Sequence, residues 1–126
     1  MVRFRTPSGR YALAVEHVTE VRAAAGITPL PEPRQGVAGL LRRGDDALTV
    51  LSVLGESGAH VVVIDGAGHS FGLLVDEVTG VHAVDDNQIG PPPAGQDRGA
   101  VSGVLPVDDG LVLVLDASAL RQWLRA

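Results

Sequence analysis

A chain of 126 residues, 45% of them apolar, is long enough for one domain with a real core or for two small subdomains that share one. Its ten basic residues, all arginine, face fifteen acidic ones, and the resulting charge of −5 excludes the basic face of a generic nucleic-acid surface. The lack of cysteine excludes disulfides, zinc–thiolate and iron–sulfur centres and thiol nucleophiles, and no stretch has the roughly 18 to 20 apolar residues of a membrane span. With no secretory signal at its start either, the chain is expected to be cytoplasmic and without membrane insertion.

In chain order, residues 2–5 and 11–15 read as strands joined through a glycine-containing turn at 6–10. A short polar stretch, 16–20, has room for about one helical turn. The loop Ile27-Thr28-Pro29-Leu30-Pro31-Glu32-Pro33 is stiffened by prolines that cannot pair in a central strand. Residues 37–42 and 47–51 form a hairpin through Gly44-Asp45-Asp46. The second half repeats the plan. Strands at 60–65 and 70–75 flank a turn at 66–69, a polar turn follows at 76–80, and Ile89-Gly90-Pro91-Pro92-Pro93 forms the loop. A hairpin from 101–107 into 111–115 turns at Asp108-Asp109-Gly110. Asp116 is placed to cap a closing helix whose Leu120, Trp123 and Leu124 share one face and cover a barrel end.

The parallel between halves extends to individual residues. Tyr11-Ala12-Leu13-Ala14-Val15 through Val18-Thr19 and Val21 matches Phe71-Gly72-Leu73-Leu74-Val75 through Val78-Thr79 and Val81, at an offset of about 60 residues. Val37-Ala38-Gly39-Leu40-Leu41 matches Val101-Ser102-Gly103-Val104-Leu105, and in that register Asp45 meets Asp109 and Val50-Leu51 meets Val114-Leu115. Valine pairs are common by chance in so valine-rich a chain, but Thr, Gly, Asp and Pro pairs in one order point to duplication. Short hairpins close into barrels or sandwiches to hide their edges. Two similar halves, about 1–58 and 59–126, suit two small barrels within a single domain, with exchange of strands between them compatible with the repeat.

Little here builds an active site. His17, His60, His69 and His82 show no H-x-x-x-H or H-E-x-x-H spacing, so no metal or cofactor is expected. His17 lies beside Glu16 and Glu20, which read as the outer face of a helical turn. No serine sits in G-x-S-x-G, and Gly66-Ala67-Gly68 joins no strand to a long helix, so phosphate binding is poorly supported. The paired aspartates fall in turns, where Asp bonds nearby backbone N–H groups, and lack the alternating ligands of a calcium loop. Arg42-Arg43-Gly44 stands apart, because adjacent arginines at a strand end project to opposite faces and one must meet a core, a groove or a partner. An internal pairing of Arg43 with Glu20 or Asp45 is the competing account.

Assembled in order, these residues resemble the CheW-like family over nearly the whole chain. The resemblance is carried by Tyr11-Ala12-Leu13 with Val15, Val18, Glu20 and Val21, then Pro29-Leu30-Pro31, then Gly39-Leu40-Leu41 with Arg43-Gly44. It continues with Gly72-Leu73-Leu74-Val75-Asp76, Val78, Gly80-Val81, Ile89-Gly90-Pro91-Pro92-Pro93 and Leu115-Asp116. The resemblance implies an all-β fold of two SH3-like β-barrels, of about five strands each, with a shared apolar interface and a short C-terminal helix. It implies a non-enzymatic adaptor that joins a CheA-type histidine kinase, through that kinase's own CheW-like regulatory domain, to the cytoplasmic tip of a chemoreceptor. The receptor's helical hairpin would lie between the barrels. By the same resemblance, Arg43 and Gly44 match the family's Arg-Gly, whose arginine is implicated in receptor coupling. Val18 and Glu20 match groove-side positions, and Gly39 matches a glycine implicated in kinase binding. The segment from Gly39 to Gly44 is one residue shorter than the usual form, and Leu48-Thr49-Val50 replaces the usual Leu-Pro-Val. A scaffold of a different two-component pathway and a small-molecule-binding or catalytic β-barrel remain the alternatives. The latter requires two of Glu16, His17, Glu20 and Asp76 to converge in a cleft.

Overall fold

The computed structural model describes residues 1–65, 69–93 and 100–124. The turn expected at 66–69 and the Gly66-Ala67-Gly68 run therefore fall largely outside the described residues, as does the end of the closing helix. The described residues hold ten strands: β1 (Val2–Thr6), β2 (Gly9–Leu13), β3 (Val18–Ala23), β4 (Val37–Arg43), β5 (Asp46–Leu51), β6 (His60–Ile64), β7 (Phe71–Val75), β8 (Glu77–Val81), β9 (Val101–Val107) and β10 (Gly110–Leu115). One helix, α1 (Ala117–Gln122), follows.

The polar stretches expected to make helical turns behave differently. A 3-10 turn occupies only Val15–His17, and the chain then extends directly into β3. At the equivalent place in the second half there is no helical turn, because β8 starts at Glu77. Both strands lie at a sheet edge, and their apolar content is low because much of each faces water.

The strands form two five-stranded sheets, ordered β8-β1-β2-β10-β9 and β3-β6-β7-β5-β4. Each sheet takes its first hairpin from one half of the chain and three strands from the other, so a cut near residue 58 separates the repeats but not the barrels. Replacing every strand by its counterpart in the other half converts one order into the other. Register repeats as well. Phe4 faces Tyr11 as Ile64 faces Phe71, and the parallel pair Ala12–Val114 mirrors Gly72–Val50. Bulges recur at the same places, skipping Thr19 and Thr79 on the edge strands and Ala38 and Ser102 on the hairpins. Each sheet curls towards closure where the loop after its edge strand bridges the outer hairpin, Thr28 to Leu40 and Gly90 to Val104.

Period-two alternation sorts the apolar side chains into three clusters. On β6, Val61 and Val63 fill the interior of one barrel with Leu41, Leu48, Val50 and Leu74. Their neighbours Val62 and Ile64 point the other way, into a shared cluster with Val2, Phe4, Leu13, Leu51, Phe71, Leu73 and Leu115. The other interior, around Ala12, Leu105, Val112 and Val114, is smaller. Arg3 stands where the repeat would place Val63, and its Nε is buried without an acceptor among the described residues. Helix α1 adds Ala117 and Leu120 to the shared cluster, with Trp123 and Leu124 packed against it. The Asp116 carboxylate accepts from the Ser118 amide at 2.8 Å, the cap its position suggested.

Candidate partner-binding site

The hairpin between β4 and β5 turns at Gly44-Asp45, where Gly44 adopts φ +58, a conformation that costs most side chains strain. The two arginines before it diverge as strand geometry requires. Arg42 is exposed on the side of Leu40, and its Nε donates to the Gly44 carbonyl at 3.1 Å. Arg43 is half-buried and lies on the side of the buried Leu41. Among the described residues Arg43 makes no ion pair.

Glu20 is exposed on β3, and its partner is Arg22, at 3.0 Å. Neither Glu20 nor Asp45 pairs with Arg43. Arg22 also donates through Nη2 to the Arg42 carbonyl at 3.4 Å, which ties the outer face of β3 to the hairpin end. Glu20, Arg22, Arg42 and Gly44 thus form one polar strip, with Arg43 beside it. Arg22 was not foreseen from sequence, since its binding partner on the hairpin is a backbone carbonyl.

Val18 and Gly39 lie elsewhere. Four residues separate Val18 from Arg22 and Gly39 from Arg43, so each is about 13 Å along its strand from the tip. Val18 is half-buried opposite Ile64 and packs on the shared cluster. Gly39 is buried with φ +148, and a Cβ there would run into the Thr28 carbonyl. Its environment is internal.

The two hairpin tips differ electrostatically. Asp109, the repeat counterpart of Asp45, receives Arg10 Nη1 at 2.9 Å, while Nη2 donates to the Asp109 carbonyl at 3.2 Å. The hydrogen bond from Arg10, then its charge, holds the Asp109 carboxyl below its usual value. In the other barrel the counterpart of Arg10 is Ser70, whose hydroxyl donates to Asp65, and Asp45 has no ion pair among the described residues. Among the described residues the tip carrying Arg42, Arg43, Asp45 and Asp46 therefore presents its charges without ion pairs, where its counterpart is clamped.

The groups that a catalytic reading would need have these contacts. The His17 carbonyl accepts from the Asp65 amide, Glu20 is held by Arg22, and the Asp76 carbonyl meets the His60 ring at 2.9 Å. Among the described residues no three His, Asp or Glu side chains are grouped to hold a metal ion, and no helix is long and apolar enough to cross a membrane.

A family model for the CheW-like domain matches residues 1–125. The crystal structure of the scaffolding protein TtCheW from Thermoanaerobacter tengcongensis matches with a TM-score of 0.81 and 25% identity, over 92% of this chain and 82% of that one. No curated protein sequence matches.

Proposed function

The chain belongs to the CheW-like domain family, and from that membership we propose that it is a non-enzymatic cytoplasmic adaptor of chemotaxis signalling. It couples the cytoplasmic tip of a chemoreceptor to the CheW-like regulatory domain of a CheA-type histidine kinase. The observation that carries this reading is the unpaired charged tip of the β4–β5 hairpin, set against a clamped counterpart in the other barrel. A fold with no internal need for Arg43 as an ion-pair partner leaves its guanidinium for a carboxylate or carbonyl of another protein. Arginine suits that task because its planar fork makes directional bonds that lysine does not copy. In this proposal Arg43 and Gly44 contact the receptor, Glu20 sets the charge beside them through Arg22, and Val18 lines the junction between the barrels. Gly39 serves the kinase-binding surface indirectly, by letting β4 close against Thr28.

The test compares Arg43→Ala with the native protein in thermal unfolding and in binding to a receptor-tip fragment with the kinase regulatory domain present. An almost unchanged melting temperature with clearly weaker receptor binding is expected, with a milder effect from Arg42→Ala. Unfolding by Arg43→Ala, or undiminished receptor binding, assigns the arginine to the fold and removes the proposed contact.

A further inference from the structure

A second arginine without an ion pair among the described residues stands on α1. Arg121, on α1, has its Nε and Nη2 buried, and no atom of the described residues accepts from either. Buried polar groups almost always find an acceptor, and an unmatched donor on a cation is among the costlier exceptions. The guanidinium carbon sits 5.7 Å from the centroid of Phe71, an attraction that holds the group in place without supplying an acceptor for its N–H bonds.

The same side chain lines a cavity of about 370 Å³ with Ala47 and Thr49 of β5, His69, Ser70 and Leu124. That volume is at the lower end for ligand pockets and far exceeds the space of one water molecule. Its polar groups are unequal. Ser70 already donates to Asp65 at 3.1 Å, so the donors left to an incoming group are Arg121, the Thr49 hydroxyl and the His69 ring. Among the described residues no carboxylate lines the cavity. Ala47 and Leu124 supply apolar walls for a short carbon chain.

We propose that this cavity is a carboxylate-binding site in which Arg121 is the anchoring residue. A carboxylate offers two acceptors in one plane and matches two N–H bonds of a guanidinium edge, which no single hydroxyl or carbonyl does. The walls favour a small organic acid or an acidic side chain of a protein over a bare inorganic anion. The site adjoins the β4–β5 hairpin through Ala47, and its existence does not depend on the adaptor reading.

Side-chain Nε–H resonances of arginine in the ¹⁵N-labelled full chain provide the assay. Sodium acetate is titrated at constant ionic strength against sodium chloride, and an end-blocked glutamate-rich peptide is titrated separately. The proposal expects a saturable shift of the Arg121 signal with acetate or the peptide, retained in the control Arg5→Gln, together with saturable shifts of the Thr49 and Ser70 backbone amides that are lost in Arg121→Gln. Affinity for the peptide at least about tenfold tighter than for acetate assigns the natural source to a protein side chain, and comparable affinity assigns it to a free acid. Arg121→Lys keeps the charge but not the fork. It is expected to bind about tenfold more weakly, and it serves if Arg121→Gln does not fold. Absence of saturation with both probes, Thr49 and Ser70 amide shifts that persist in Arg121→Gln, or an unchanged affinity by those amides in Arg121→Lys overturns the proposal.

Discussion

Replacing Gly39 with alanine tests the closure of the barrel that carries the proposed contact. Gly39 combines φ +148 with a position where a new Cβ would strike the Thr28 carbonyl and lie 3.1 Å from Ile27 Cγ2. Thr28 cannot simply retreat, because its amide and carbonyl bond Leu40 in both directions at 2.8 Å and so close the barrel. A backbone region nearly restricted to glycine costs about 1 to 3 kcal/mol. Forced overpacking adds about 1 to 3 kcal/mol, and weakening the Thr28–Leu40 bonds adds about 1 kcal/mol. The total is about 3 to 7 kcal/mol, which for a chain of this size lowers the melting temperature by roughly 10 to 30 °C. Two other glycines calibrate the result. At Gly44 a Cβ meets nothing, so alanine pays only for φ +58, about 1 to 2 kcal/mol. At Gly103 the Cβ would meet Ile89 Cγ2 at 2.6 Å and the Gly90 carbonyl at 2.8 Å, but no left-handed backbone adds to the cost. Thermal and urea unfolding of the three variants should rank Gly39→Ala as the most destabilised and Gly44→Ala as the least. If Gly39→Ala melts with Gly44→Ala, the close approach to Thr28 is not what holds that glycine. If it abolishes kinase-domain binding while melting like the native protein, Gly39 acts at a contact.

Leu13→Ala and Leu73→Ala remove fully buried side chains at equivalent places in the shared cluster, and each should cost about 2 to 5 kcal/mol in urea unfolding. A large difference between them would undermine the equivalence of the halves. Asp116→Ala removes the cap on the Ser118 amide and should cost about 1 kcal/mol, read as a small drop in melting temperature. Asp109→Asn should lower the melting temperature slightly at neutral pH, more in low salt than in high. Because Arg10 depresses the Asp109 pKa below 3.8, that contribution is present above the unfolded value and is lost as pH falls through the folded one. The native protein and Asp109→Asn should therefore converge in acid, and a gap that widens there would contradict the assigned pairing.

The hairpins were legible because their signals are local: apolar runs such as Val112 to Leu115, meeting a turn at Asp108-Asp109-Gly110, need no distant partner to be read. Strands β3 and β8 were hidden by Thr19 and Thr79, which fall at bulges and break the alternation that identifies a strand. Glu20 and Arg22 deepened the disguise, since an edge strand facing water resembles a polar turn. Pairing of β2 with β10 and of β7 with β5 joins distant segments, and nothing in Tyr11 or Gly72 states which half supplies the neighbour. The opposed directions of Arg42 and Arg43 followed from strand geometry alone. The link from Glu20 through Arg22 to the hairpin did not, because it passes through the Arg42 carbonyl, which every residue possesses.

The adaptor reading is tested most directly by assembling the purified chain with a receptor-tip fragment and the kinase regulatory domain and measuring the mass of the product by analytical ultracentrifugation. The account predicts a complex containing all three proteins that forms only when the chain is present and is weakened by Arg43→Ala. Association of the receptor fragment with the kinase domain to the same extent without the chain, or a chain that binds neither, would contradict it.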